Sequence, residues 1–148
     1  MLPLEEPDEE YVSHWMAQDF VPHPVPPTDD SLLTENGETV RSRAELILVN
    51  MVLHMQIPYF YEKPLYLEGE RTVYPDLTAR CVRERREKYI EYFGMMSDPE
   101  YAAKAVRRIN CYENSGYYLG KRLIAIFEAE GTPLSTRHMR DLLQRHFL

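Results

Sequence analysis

Two acidic residues, Asp76 and Glu91, lie in segments that otherwise favour β-strands, predicted over 71–82 and 88–93. A carboxylate in a strand is uncommon, because aspartate forms strands poorly and is costly to bury without a partner. If the charged loop 83–87 joins the two strands as a hairpin, the carboxylates lie nearly opposite each other on one face. Two like charges so close are tolerated chiefly where a cation lies between them, and ligands that are all oxygen favour Mg²⁺ or Mn²⁺.

Each carboxylate could instead pair with an arginine. Arg80 is predicted on the same face of its strand as Asp76, and for a single acidic residue such pairing is the more common explanation. The pair of carboxylates shifts this balance, because a helix with Glu45 precedes it and a helix with Lys104 and Arg108 follows it. Glu45 also completes a capping box at the start of its helix, and the capping and metal-site roles are equally open.

The pattern of apolar residues, caps, prolines and glycines predicts the elements that must position these side chains. They are a helix from Ser42 to about Met55, a strand within 59–67 that bends at Pro64, strands at 71–82 and 88–93, a helix from Ser97 to Gly116, a buried strand at Leu123–Phe127, and a last helix from Pro133 to Phe147. The sequence therefore predicts an α/β fold, in the order helix, three strands, helix, strand, helix.

Charge divides the chain into two unequal parts. Residues 1–40 contain ten acidic residues and no lysine or arginine, which leaves 17 basic and 14 acidic residues in 41–148, although the whole chain carries −7. Residues 1–35 are predicted to form a mostly extended acidic arm, because 21–27 is rich in proline, and 36–148 to form the folded domain. The arm is either a solvated tail or a cover for a basic binding face.

Length and composition indicate one globular domain in a reducing compartment. The chain has 148 residues, a charged fraction of 28% and only two cysteines, Cys81 and Cys111, outside any metal-binding pattern. No apolar run approaches the roughly 20 residues of a membrane span, and the acidic start lacks the basic residues of a signal peptide. We therefore expect a cytoplasmic protein with free thiols and no membrane partner.

Five short motifs occur in order along the chain: Arg41–Glu45, Tyr61–Glu62, Tyr74–Asp76, Glu91–Met95 and Asp98–Tyr101. On these motifs, residues 34–147 resemble a bacterial and phage branch of the PD-(D/E)XK nuclease superfamily. That branch has a Ser-(Lys/Arg)-x-Glu helix start, Tyr-Glu and Pro-Asp strands, a Glu-x-x-Gly-Met strand end and an Asp-Pro-x-Tyr helix start. The resemblance implies a restriction-endonuclease-like α-β-β-β-α-β core, with a central mixed sheet flanked by helices.

The resemblance also implies roles for individual residues. Asp76 matches the aspartate of the Pro-Asp motif, Glu91 matches the glutamate of the Glu-x-Lys motif, and Glu45 matches a first-helix glutamate that often orients a metal-bound water or a second ion. The motif lysine is missing, because Phe93 stands two residues after Glu91. Similar proteins place it on the next helix, where this chain has Arg108, with Lys104 one turn earlier. Arginine and lysine are not equivalent in this role.

The resemblance implies a nuclease that uses Mg²⁺ or Mn²⁺. Its expected substrate is DNA rather than RNA, and its expected mode of cleavage is that of an endonuclease. The alternative is a weak or inactive module of the same fold that binds nucleic acid or a protein partner. A homodimer or an accessory protein is neither favoured nor excluded by the sequence. Glu62 is expected either at the edge of the site or paired with Lys63 or Arg71.

Overall fold

The computed structural model describes residues 6–69 and 71–148. The elements in chain order are α1 (Asp8–Met16), a short 3₁₀ helix (Asp30–Leu32), α2 (Arg43–His54), β1 (Tyr59–Tyr61), β2 (Leu65–Leu67), β3 (Arg71–Val73), β4 (Leu77–Cys81), β5 (Arg86–Phe93), α3 (Pro99–Asn114), β6 (Leu123–Phe127) and α4 (Thr136–Phe147). The predicted helices and the buried strand near the end of the chain are thereby confirmed, within a residue or two at most ends.

The helix ends follow from local chemistry. Ser42 accepts a hydrogen bond from the backbone nitrogen of Glu45 at 3.2 Å and begins α2. The Asp98 side chain accepts from the nitrogens of Glu100 and Tyr101 and begins α3, with Pro99 at its first position. These caps satisfy amide groups that have no partner inside a helix. The Asp98 cap fixes where α3, which carries Lys104 and Arg108, starts relative to β5.

The central sheet has four strands in the order β1-β4-β5-β6. The pairs β1–β4 and β4–β5 are antiparallel, and β5–β6 is parallel. β2 and β3 form a separate antiparallel hairpin. The protein therefore has a mixed sheet with helices on both faces, in agreement with the predicted α/β class.

The prediction of one strand in 59–67 and one in 71–82 was wrong, because each segment is divided in two. Glu62 adopts a φ of 50°, in the left-handed region that is uncommon for residues other than glycine, and Pro64 follows it. These two residues end β1 before β2 begins. Residues 74–76 form the corresponding break between β3 and β4. The breaks release β2 and β3 from the sheet and leave Asp76 directly before β4.

Two clusters of side chains cover the two faces of the sheet. On one face, Leu77, Ile90 and Ile124 pack with residues of α2 and α4, such as Val49 and Leu143. On the other face the smaller cluster joins the sheet to the β2–β3 hairpin and α3, and comprises Leu67, Val73, Tyr89, Tyr112 and Leu123. Side chains alternate along a strand, so Glu91 lies on the same face as Tyr89, beside α3.

The acidic arm contains a nine-residue helix, α1, that docks on the sheet. Trp15 is buried, its ring centroid lies 4.8 Å from that of Phe60, and its indole nitrogen donates to Glu87. Arg85 of the β4–β5 turn donates to the backbone oxygen of Glu6 and to Asp8. The arm therefore covers some of the basic residues of this hairpin.

Across the described ranges, no helix combines the length and apolarity that crossing a bilayer needs. Cys81 is buried, Cys111 is half-buried, and both are free thiols.

Candidate active site

The β4–β5 ladder brings Asp76 and Glu91 together. Leu77 pairs with Ile90, so the next residue outward on each side, Asp76 and Glu91, stand opposite each other on the face that α3 covers. The backbone nitrogen of Asp76 donates to Glu91 Oε1 at 3.1 Å. The nitrogen of Tyr92 donates to Asp76 Oδ2 at 2.6 Å. Each carboxylate is thus held by the backbone of the opposite segment.

Both acids sit where their charged forms are disfavoured. Glu91 is 3% exposed and Asp76 is half-buried. Burial raises the pKa of Asp76 well above its usual value, and the nearby charges of Glu91 and Glu45 raise it further. Burial also raises the pKa of Glu91, although Arg108 opposes this effect. A close pair of like charges, partly withdrawn from water, is the arrangement that a cation would stabilise.

Arg108 and Lys104 of α3 both line the cleft beside the two acids, but they are engaged differently. Arg108 forms an ion pair with Glu91 Oε2 through Nε and donates from Nη2 to the backbone oxygen of Tyr74 at 3.0 Å. Lys104 is exposed and makes no ion pair with any described residue. Arg108 therefore holds Glu91 in place, and Lys104 is the α3 cation that can reach a bound anion.

Glu45 keeps its role at the start of α2. Its Oε2 accepts from the Ser42 hydroxyl at 3.0 Å, and its Oε1 accepts from the Tyr61 hydroxyl at 2.7 Å. Its side chain does not line the cleft that Asp76 and Glu91 share. The structure therefore does not bring Glu45 in as a ligand beside this pair, although its charge is near enough to raise the pKa of Asp76.

The cleft has a volume of about 540 Å³. Besides the two acids and the two α3 cations, its walls include Arg41, Glu62, Arg71, Tyr74 and Tyr101. Glu62 is paired with Arg41 through two contacts, at 2.6 and 3.0 Å, so neither of the partners expected from the sequence, Lys63 or Arg71, is the observed one. Arg41 lies two residues before α2 begins and 21 residues from Glu62, and no local pattern pairs the two.

The donor set of the cleft suits an open divalent-ion site better than a closed one. The described residues contain no group of three or more His, Cys, Asp or Glu side chains that could hold a metal, so a closed protein cage does not fit. Asp76 forms no ion pair within the described chain, and its Oδ1 accepts no hydrogen bond there. One or two carboxylates that leave the other positions to water and phosphate oxygens are a typical Mg²⁺ arrangement, and Asp76 fits it. Both Glu91 oxygens already accept, Oε1 from the Asp76 nitrogen and Oε2 from Arg108, so Glu91 would bind an ion only through the lone pairs that these contacts leave.

Tyr112 of α3 lies beneath this site with its hydroxyl fully buried and close enough to Glu91 for that carboxylate to raise the pKa of Tyr112. Within the described residues, however, the hydroxyl makes no hydrogen bond of normal geometry. Since an unsatisfied buried hydroxyl costs about 1–3 kcal/mol, Tyr112→Phe is expected to raise the free energy of unfolding by about 1 kcal/mol in urea titrations. Tyr89→Phe is the matched control, because the Tyr89 hydroxyl donates to Glu87 at 3.2 Å and its removal is expected to destabilise. Any loss of stability in Tyr112→Phe would contradict this expectation.

No protein-family model matches this chain, and no curated protein or solved structure matches it either.

Proposed function

We propose that this protein is a divalent-metal-dependent nuclease with a restriction-endonuclease-like core, and that Asp76 and Glu91 hold its metal ion. The observation that carries the proposal is a pair of opposed carboxylates, Glu91 buried and Asp76 half-buried, in one cleft with an exposed lysine. The order of the elements around the sheet supports it: α2, then β1, β4 and β5, then α3 and β6. This is the core order that the resemblance implies.

The two acids and the residues that contact them have different roles in this proposal. Asp76 and Glu91 would hold Mg²⁺ or Mn²⁺, which when bound lowers the pKa of a water and neutralises charge on a phosphodiester. Arg108 keeps Glu91 oriented through their ion pair. Lys104 contacts a non-bridging phosphate oxygen and stabilises the negative charge that develops there. Tyr92 and the Asp76 backbone fix the two carboxylates before substrate arrives.

A second candidate function is a non-catalytic module that binds nucleic acid or a protein partner. The Glu91–Arg108 ion pair favours it, because a guanidinium already neutralises one of the two carboxylates. Arginine cannot give up its proton as a lysine can. The two candidates differ in whether phosphodiester bonds are broken.

The test is cleavage of linear duplex DNA, branched DNA, single-stranded DNA and RNA in Mg²⁺, in Mn²⁺ and in EDTA. The nuclease proposal predicts cleavage of at least one substrate that requires the metal. Cleavage in EDTA, or cleavage that survives both Asp76→Ala and Glu91→Ala, would overturn it. Binding without cleavage of any substrate would favour the second candidate.

A further inference from the structure

The arm reaches the cleft through its proline-rich segment, which is anchored at two points. The Phe20 ring stands edge-on to Phe60 with centroids 5.3 Å apart. The backbone oxygen of Val25 accepts from Arg41, the residue that pairs with Glu62. Between these anchors lies His23, which lines the same cleft as Asp76 and Lys104. Pro22 and Pro24 flank His23 and keep its backbone extended.

Two contacts position the ring of His23 and indicate which of its nitrogens carries the hydrogen. Its centroid lies 4.4 Å from that of Tyr74. The backbone nitrogen of Val25 donates to His23 Nδ1 at 3.0 Å. A neutral imidazole has one donor and one acceptor nitrogen, so a ring that accepts at Nδ1 carries its hydrogen on Nε2. Nε2 makes no hydrogen bond to any described residue.

The charge of the arm residues that reach the cleft indicates whether the arm lines the cleft or blocks it. A segment that excludes a polyanion by mimicking it would place carboxylates in the cleft, and the arm is rich in them. None of the arm's described acidic residues lines the cleft, and His23 is the only described residue before Arg41 that does. The arm therefore gives the cleft a hydrogen-bond donor and no competing negative charge.

We propose that His23 is a substrate-binding residue whose Nε2–H donates to a non-bridging phosphate oxygen of the strand held in the cleft. This inference rests on the proposed function, since it takes the ligand to be a phosphodiester chain. The arm then contributes a substrate-binding residue to the site. Lys104 and His23 then both contact the backbone, in the cleft that Asp76 and Glu91 also line.

The test is the affinity of the full chain for a fluorescently labelled single-stranded DNA oligonucleotide, measured by anisotropy in EDTA. His23→Asn keeps an oxygen near Nδ1 and removes the donor at Nε2, and it is expected to weaken binding by about 3- to 10-fold. His23→Gln carries an amide nitrogen near the Nε2 position and is expected to stay within about twofold of wild type. His14→Asn, an exposed histidine of α1, is the matched control and should leave the affinity unchanged.

An unchanged affinity in His23→Asn overturns the inference, and so does an equal loss in His23→Asn and His23→Gln. Tighter binding in His23→Asn would show that the arm covers the site. Thermal melting of each variant checks that it is folded. Failure of the nuclease proposal is distinguishable from failure of this inference. If only the nuclease proposal fails, the wild type cleaves no substrate, but His23→Asn still weakens binding.

Discussion

Replacing Asp76 with asparagine is expected to lower the rate of metal-dependent cleavage by a factor of about 10² or more, and at the same time to stabilise the metal-free protein. The loss of rate follows because the metal supplies several kcal/mol of transition-state stabilisation. The gain in stability follows because the substitution removes the negative charge that lies beside the buried Glu91 carboxylate. An asparagine oxygen can still accept the hydrogen bond that Tyr92 donates to Asp76.

The stability effect has a defined dependence on pH. The pKa of Asp76 is raised in the folded protein, so its contribution to stability is fully present below its unfolded pKa of about 3.9 and is lost as the pH rises through the raised value. Glu91, with a raised pKa, acts in the same direction. In EDTA the wild type should therefore lose stability from about pH 4 toward neutral pH and above, and Asp76→Asn should lose less.

Thermal melts in EDTA at pH 5 and pH 8, together with cleavage rates in Mn²⁺, measure both effects. Asp141→Asn, an exposed aspartate of α4, is the matched control and should change neither. A variant Asp76→Asn that is as active as wild type, or that is less stable than wild type at pH 8, would contradict the assignment of Asp76.

Replacing Arg108 with methionine is expected to destabilise the protein by about 3 kcal/mol at pH 8. Arg108 is one-third exposed, but its partner Glu91 is 4% exposed at the side chain, and the substitution leaves that carboxylate without a neutralising charge. The pKa of Glu91 would rise further, so the loss should be smaller at pH 5, where protonation removes the charge.

A double-mutant cycle separates this effect from lost packing. Glu91→Gln combined with Arg108→Met should recover most of the stability, because the amide carries no charge. Arg107→Met, at the exposed neighbouring position on α3, should change the free energy of unfolding by less than about 0.5 kcal/mol. If Arg108→Met and Arg107→Met are equally stable, the ion pair does not hold Glu91 in place.

The features that the sequence predicted well depend on neighbours close in the chain. Ser42 and Asp98 cap helices through groups two or three residues away, and the β4–β5 turn joins adjacent strands. The opposition of Asp76 and Glu91 follows from that turn by counting residues along both strands. Short-range chemistry of this kind is visible in a single sequence.

The features that the sequence did not predict depend on contacts between distant segments. The pairing of Arg41 with Glu62 spans 21 residues. Glu62 takes its left-handed backbone conformation directly after β1, where the chain leaves the sheet. His23 reaches the cleft only because Phe20 and Val25 are anchored on either side of it. The one local signal was the placement of a histidine between two prolines, which indicates a rigid extended segment but not its destination.

Titration of the full chain with Mn²⁺, followed by electron paramagnetic resonance of the free ion, tests the central claim most directly. If Asp76 and Glu91 hold a metal together, the wild type should bind one ion per chain at this site, and Asp76→Asn and Glu91→Gln should each lose it while Asp141→Asn keeps it. Binding that is absent from the wild type, or that survives in both cleft variants, would contradict the account.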